Sequence, residues 1–244
     1  MSSRDMPDGH PDVAALAALL ANRSRAAFCL AMLDGHEWTV SELAGYAGVS
    51  VPTATEHLNL LVDGGLLTER RRGRHRYLRL AGADTAELIE NLAARAPQRP
   101  TPVRSLADAN RRRALAHARI CYDHLAGGLA VAIADAMTAR GLLTWDAPQY
   151  GPRLSERGLA WLAEQGIASQ PLPAGWHPHI RTCLDWTEQR LHLAGALGAA
   201  LYRHLLDAGW LARNGSARLI TLTPEGRAAL LRHLNVPEED LTPN

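Results

Sequence analysis

The stretch from Thr39 to Leu80 constrains the fold more than any other, because it spells two short capped helices joined by a glycine and followed at once by an arginine-studded hairpin. Ser41 is placed to cap a first helix whose Leu43, Ala44 and Ala47 share one face, and Gly48 supplies the tight turn. Ser50 is a second N-cap, with Pro52 close behind, where a missing N–H costs nothing. Ala54, Leu58 and Leu61 then recur at helical spacing and are expected to pack inward, which leaves Thr53, Glu56 and Asn59 outward and Thr55 on the flank. Small polar groups at the start of an exposed helix suit base edges in a major groove.

Gly64 and Gly65 end that helix, and Leu66 to Thr68 and Arg76 to Leu80 read as two strands around a turn at Gly73. Arg70, Arg71, Arg72, Arg74, Arg76 and Arg79 line this hairpin. Like charges so closely spaced repel one another unless a polyanion compensates them, and duplex phosphate does so. A run of charge by itself is often only a solvated face; directly after a capped two-helix turn it points to double-stranded DNA.

The order of these features, from Asn22-Arg23-Ser24-Arg25 and Phe28 to Leu33 through the two helices to the hairpin, resembles the winged-helix regulators of the arsenic-repressor (ArsR/SmtB) family over about the first hundred residues. The resemblance implies a homodimeric transcription factor, usually a repressor released from its operator by an inducer. Asp12 to Leu20 and Asp84 to Leu92 carry Val13, Leu16, Leu19, Leu20, Leu88, Ile89 and Leu92, the apolar residues expected to form the dimer contact. The family's metal sites do not carry over. The helix Glu42 to Ala47 has no cysteine, and Asp84 to Arg95 has acids but no histidine, so no residue is assigned to a metal and the cofactor is unknown.

Charge is local. Residues 1–96 hold 10 Arg against 12 Asp and Glu, a balance of −2, so the positive potential is confined to the wing and binding is expected through a few placed phosphate contacts. No apolar run reaches the roughly 20 residues of a membrane span. Three cysteines, an odd and sparse set, suit free thiols in a reducing compartment. A cytoplasmic protein without membrane partners is expected.

Pro97 to Val103, with three prolines, is expected to be an extended linker that closes a first domain at residues 1–96. Beyond it lies an internal repeat, residues 104–170 and 171–244. The segment starting at His124, H-L-A-G-G-L, returns as H-L-A-G-A-L at His192, and Leu154 to Gly158 returns as Leu222 to Gly226, both at an offset of 68. Cys121-Tyr122-Asp123 answers Cys183-Leu184-Asp185 at an offset of 62, so the second copy holds six extra residues near Trp186 to Leu191. Each copy reads as helix, glycine turn, short hairpin, helix. The fold class expected is mainly α with small β-hairpins: an N-terminal winged helix-turn-helix followed by two winged-helix-like units related by duplication. Their hairpins, with Trp145, Asp146, Gln149 and Tyr150 in one and Arg213, Asn214 and Ser216 in the other, lack the arginine ladder and are not expected to touch DNA. Long regulators of the same family with C-x-D and H-L-A-G elements in a C-terminal extension resemble this half, which implies a sensory or dimer-modulating domain.

No spacing in this half matches a nucleophile elbow, a phosphate loop or a zinc-protease helix, so catalysis is not expected. Three kinds of inducer site remain. Cys121 and Cys183, each followed by an aspartate (Asp123, Asp185) and read as lying at the start of a helix, could form a thiol pair across the pseudo-twofold, open to oxidants or electrophiles. The same thiols with His124, His192 or the pair His177 and His179 could hold a soft metal. Trp145, Trp161, Trp176, Trp186 and Trp210 could wall a pocket for an apolar compound. Against these stands the plain reading that Cys121, Cys183 and also Cys29 are core residues. The competing function is a DNA-binding architectural protein that senses nothing, its repeats serving dimer or partner contacts alone.

Overall fold

The structure, a computed structural model, describes residues 10–97, 105–145, 151–167, 180–213 and 218–243. Most of the expected linker, both expected wing loops of the repeats (Asp146, Gln149, Tyr150, Asn214, Ser216) and Trp176, His177 and His179 lie outside the described residues. The chain divides into two compact units, Met1–Thr85 and Ala86–Asn244.

The first unit holds α1 (Val13–Leu20), α2 (Arg23–Ala31), β1 (Trp38–Thr39), α3 (Val40–Ala47), α4 (Val51–Asp63), β2 (Leu67–Arg72) and β3 (His75–Leu80). The cap of α3 is Thr39 and not Ser41. Thr39 and Glu42 form a reciprocal capping box, and the Glu42 side chain makes Thr39 the better stop for the incoming strand. Gly48 takes the left-handed conformation between α3 and α4, and Ser50 caps α4 as expected. Phe28, Leu33, Leu43, Leu58, Leu61 and Leu78 are fully buried together under the sheet β1-β3-β2. The hairpin strands run longer than predicted, to Arg72 and from His75, because Arg71 pairs with Arg76 and Arg72 with His75 right up to the Gly73 turn. In α1 no residue is buried, and Val13 is 68% exposed.

The helix expected to close the first domain, α5 (Ala83–Arg95), belongs almost wholly to the second unit, so the boundary falls at its start and not at residue 97. Ala86, Ile89, Glu90 and Ala94 are buried there. Ile89 is therefore committed to this unit's interior, while Leu92 stays 49% exposed.

After α6 (Leu106–His117) the duplication is visible element by element. The first copy is β4 (Arg119–Cys121), β5 (His124–Ala126), α7 (Gly128–Ala139), β6 (Leu143–Thr144), β7 (Arg153–Leu154) and α8 (Glu156–Glu164). The second is β8 (Thr182–Leu184), β9 (Leu191–Leu193), α9 (Gly195–Asp207), β10 (Leu211–Arg213), β11 (Ile220–Leu222) and α10 (Pro224–Leu234). Helix, glycine turn, hairpin and helix appear in both, as expected, and each copy begins with one hairpin more. The repeated residues have a common cause. Ser155 and Thr223 cap α8 and α10 while donating back to the Gly141 and Gly209 carbonyls, at 2.6 and 2.8 Å. A Cβ on Gly158 or Gly226 would overlap the carbonyl of Leu142 or Trp210, so close backbone approach holds both positions to glycine.

The two copies exchange partners across a pseudo-twofold: α9 packs on β5 of the first copy and α7 on β9 of the second. The helix α7 is buried almost throughout, which explains its alanine-rich, apolar composition. Among the described residues no single helix is long and apolar enough to cross a membrane.

Candidate functional site

Of the predicted DNA-reading residues of α4 and its cap, Ser50, Glu56 and Asn59 are exposed and Thr53 and Thr55 half-buried. Ser50 Oγ meets Thr53 Oγ1 at 2.8 Å at the start of α4, and Thr55 donates its hydroxyl to the Val51 carbonyl at 2.8 Å. Glu56 and Asn59 are exposed, as is Val51 (47%), an apolar side chain the sequence pattern did not single out and a fit for a thymine methyl. Asn59 Oδ1 accepts from Arg76 at 2.7 Å, and Arg76 also pairs with Glu69, so this arginine locks the hairpin to α4. Arg72 pairs with Glu37 at 3.0 Å and lies over the Tyr77 ring. Arg70, Arg71 and Arg79 have no acidic partner among the described residues, which leaves their charge to solvent.

The second unit is organised around its two extra hairpins. Cys121 and Asp123 do not start a helix as predicted. Cys121 ends β4, Tyr122 turns the chain in the left-handed region (φ 56°), and His124 begins β5 directly opposite Cys121. The helix starts only at Gly128, after Gly127 at φ 92°. In the second copy Cys183 pairs with His192 in the same way, and the six extra residues form the loop from Asp185 to Arg190 between them. The pseudo-twofold brings the two Cys–His pairs face to face. Among the described residues, one ligand atom from each of Cys121, His124, Cys183 and His192 lies within 4.8 Å of all the others. His124 Nε2 and His192 Nε2 are 3.2 Å apart. Cys121, His124 and His192 are buried and Cys183 is half-buried. Gly198 of α9 permits this approach, since a Cβ there would stand 2.5 Å from the Leu193 carbonyl oxygen and 3.1 Å from His124 Cβ.

The thiols are coupled. A hydrogen bond shared with Cys183, reinforced by burial, pushes Cys121 well up, while the same bond lowers Cys183. Cys29, fully buried in α2 and pushed by burial to about 12, is a core residue.

Beside this centre lies a buried ionic network. The fully buried Asp185 accepts from the Gly127 amide at 2.7 Å, from Arg119 at 3.1 Å and from Thr187 N and Oγ1 at 2.9 and 2.7 Å. Burial would raise its carboxyl, but Arg119 and these donors hold it down at about 2. Arg119, 1% exposed, donates through Nε to Glu90 at 2.7 Å and lies over the Trp186 ring. Glu90 also accepts from Arg218 at 2.6 Å and from Trp186 Nε1 at 3.2 Å. Glu90, Arg119 and Arg218 gave no sign in the sequence: a lone acid in a helix and two scattered arginines look like surface residues. Among the described residues three of the tryptophans considered for a pocket have separate partners, and Trp176 lies outside the described residues. Trp145 donates to Thr138, Trp186 packs on Arg119, and Trp210 stacks on His233.

A helix-turn-helix domain description matches residues 20–70. The uncharacterized HTH-type transcriptional regulator YdfF of Bacillus subtilis is 36% identical over 227 residues, 93% of this chain and 99% of its own. The biofilm growth-associated repressor of Xylella fastidiosa is 29% identical over 92 residues, 38% of this chain and 80% of its own. Among solved structures, the homodimeric winged helix-turn-helix DNA-binding domain of a possible ArsR-family regulator from Mycobacterium bovis is 33% identical, covering 34% of this chain and 82% of that one, with a TM-score of 0.30. With a similarity to YdfF that runs through both units, the chain belongs to the helix-turn-helix transcriptional regulators.

Proposed function

We propose that this regulator is a homodimeric repressor whose hold on its operator is controlled by an inducer acting on the buried Cys–His centre of the second unit. The observation that carries the reading is Glu90. This residue of α5, the helix that begins after the two residues following the wing strand β3, is fixed through Arg119 to Asp185, whose Oδ2 is 3.6 Å from His192 Nδ1. A change at the centre therefore has a short polar route to the helix that follows the wing.

In this reading Thr53, Glu56 and Asn59, with Val51, meet base edges, Ser50 and Thr55 flank them, and Arg70, Arg71, Arg74 and Arg79 track phosphates. Arg72 and Arg76 position the wing through their pairs with Glu37, Glu69 and Asn59. The unpartnered apolar residues of α1, Val13 and Leu16, form the two-fold contact together with Leu92. The chain catalyses no reaction: burial of Cys121, His124 and His192 suits an ion or a proton rather than an organic substrate.

The test is an operator-binding titration on the full chain, with the operator obtained by selection from random duplexes, in the presence of divalent transition metals, chelator, peroxide or a thiol-alkylating reagent. The reading expects one of these to change affinity at least tenfold, and the Glu90→Gln variant to blunt the response. Affinity unchanged under all of them would leave a DNA-binding protein that senses nothing through this centre.

A further inference from the structure

The geometry points to a tetrahedral binding site for a divalent cation of the zinc class, with Cys121 Sγ, His124 Nε2, Cys183 Sγ and His192 Nε2 as its four ligands. This deepens the inducer reading above, on which its regulatory consequence rests; the site itself stands on three observations of its own.

The first is shape. Zn–N and Zn–S bonds of about 2.0–2.1 and 2.3 Å place tetrahedral nitrogens about 3.3 Å apart and sulfurs about 3.8 Å apart. The two Nε2 atoms are 3.2 Å apart, and all four ligand atoms lie within 4.8 Å of one another. The ligands come as two Cys–His pairs, each directly opposed across a two-stranded hairpin, so the backbone pairing and not side-chain flexibility fixes their positions.

The second is the tautomer. His124 Nδ1 is 3.1 Å from Asp123 Oδ1, and His192 Nδ1 is 3.6 Å from Asp185 Oδ2. A carboxylate only accepts, so His124 Nδ1 carries its proton toward Asp123 and leaves its Nε2 lone pair facing His192 Nε2 at 3.2 Å, while the buried His192 Nδ1 has no hydrogen-bond partner among the described residues. Two buried ring nitrogens at that distance are bridged either by a shared proton or by a cation that takes both lone pairs. A carboxylate on the far nitrogen of a ligating histidine is also the usual support of a zinc site, since it fixes the ring and raises its basicity. The repeated Cys-x-Asp motif thus gains a role: the cysteine ligates in both copies, and in the first copy Asp123 orients His124 across the hairpin.

The third is charge. A divalent ion with two thiolates and two neutral imidazoles is net neutral, which suits a place beside a network whose Glu90, Arg119, Asp185 and Arg218 already balance. Soft thiolates and imidazoles in an S2N2 tetrahedron select zinc-like ions over magnesium or calcium. With ligands drawn from both copies, the ion would pin the two repeats together and, through Asp185 and Arg119, set the position of α5.

The experiment uses the reduced full chain. After dialysis against chelator, Co(II) is titrated in and followed by its visible ligand-field bands and the thiolate charge-transfer band, and native mass spectrometry with zinc gives the stoichiometry. The expected result is one ion per chain with tetrahedral absorption, and loss of both signals in Cys121→Ser and in His192→Gln. Because those variants touch the interior, Asp123→Asn is the second arm. Its side chain is 47% exposed and not a ligand, and it should keep the stoichiometry while lowering metal affinity about 10–100-fold. Failure of the reduced protein to take up Co(II) in tetrahedral form, uptake unaffected by the Cys121 and His192 variants, or isolation of the native protein with a Cys121–Cys183 disulfide would each overturn the site. Metal binding as expected with no change in operator affinity would establish the site and refute the metal as the inducer instead.

Discussion

Replacing Glu90 by Gln should destabilise the second unit far more than removal of any surface ion pair in it. The carboxylate receives Arg119 at 2.7 Å, Arg218 at 2.6 Å and Trp186 Nε1 at 3.2 Å, and it is 3% exposed. Without its charge, two buried guanidinium groups are left to Asp185 alone, one uncompensated positive charge in the interior. Breaking a buried pair in this way costs about 3–5 kcal/mol, whereas an exposed pair contributes about 0–1 kcal/mol. Arg190–Asp135, at 2.7 Å with side chains 57% and 51% exposed, is the internal control. The assay is urea denaturation followed by tryptophan fluorescence, in which Trp186, touching both Glu90 and Arg119, reports on the site directly. The pH dependence has a definite sign. Burial by itself would raise the Glu90 carboxyl, but Arg119 and Arg218 outweigh it and hold the group below its usual value. Its stabilisation is therefore complete above the unfolded pKa of about 4.3 and disappears as pH falls through the lower folded value. Wild type should lose stability across that acid window, and Glu90→Gln should lose correspondingly less. A Glu90→Gln protein within 1 kcal/mol of wild type at pH 7, or no steeper an acid loss in wild type than in the variant, would refute the claim that this network anchors α5.

Other consequences can be measured separately. Arg71→Ala combined with Arg74→Ala should weaken binding to every duplex and reduce the slope of log affinity against log salt by about 0.9 per lost phosphate contact; an unchanged slope would remove the wing from the interface. Thr53→Ala with Glu56→Ala should change the preferred operator at about 1–3 kcal/mol per lost base contact, and a selection returning the wild-type sequence would reject them as readers. Val13→Asp with Leu16→Asp should yield a monomer in sedimentation at micromolar concentration, since both residues are exposed on α1; a persistent dimer would place the contact elsewhere. Gly198→Ala, whose Cβ would press on the Leu193 carbonyl and His124, should cost about 1–3 kcal/mol by urea titration, and a neutral result would mean that α9 can retreat from β5 freely.

What could be read from the amino acids alone lies within short reach along the chain. The Gly48 turn, the Ser50 cap, the inward row Ala54, Leu58 and Leu61, and the glycine that turns the wing are set by neighbours within about a dozen positions, and each came out as read. The repeat was equally legible, because the cap and close-packed glycine at Ser155 and Gly158 recur intact at Thr223 and Gly226. Small errors stayed local too: Thr39 displaced Ser41 as the cap because only Thr39 is placed to exchange hydrogen bonds with Glu42. The centre of the second unit is of another kind. Cys121 and His124 looked like the entrance to a helix, since the apolar run after them is helical; pairing across a Tyr122–Asp123 turn made them a hairpin instead. Their meeting with Cys183 and His192 depends on the exchange of α7 and α9 between copies, a packing that no window of sequence contains. Glu90 is the extreme case. A carboxylate can be buried only where counter-charges arrive, and here they come from Arg119 and Arg218, 29 and 128 positions away. Caps and periodicity are short-range and survive in one dimension, whereas the desolvation of a charge and the convergence of four ligands are decided by which surfaces the folded chain brings together.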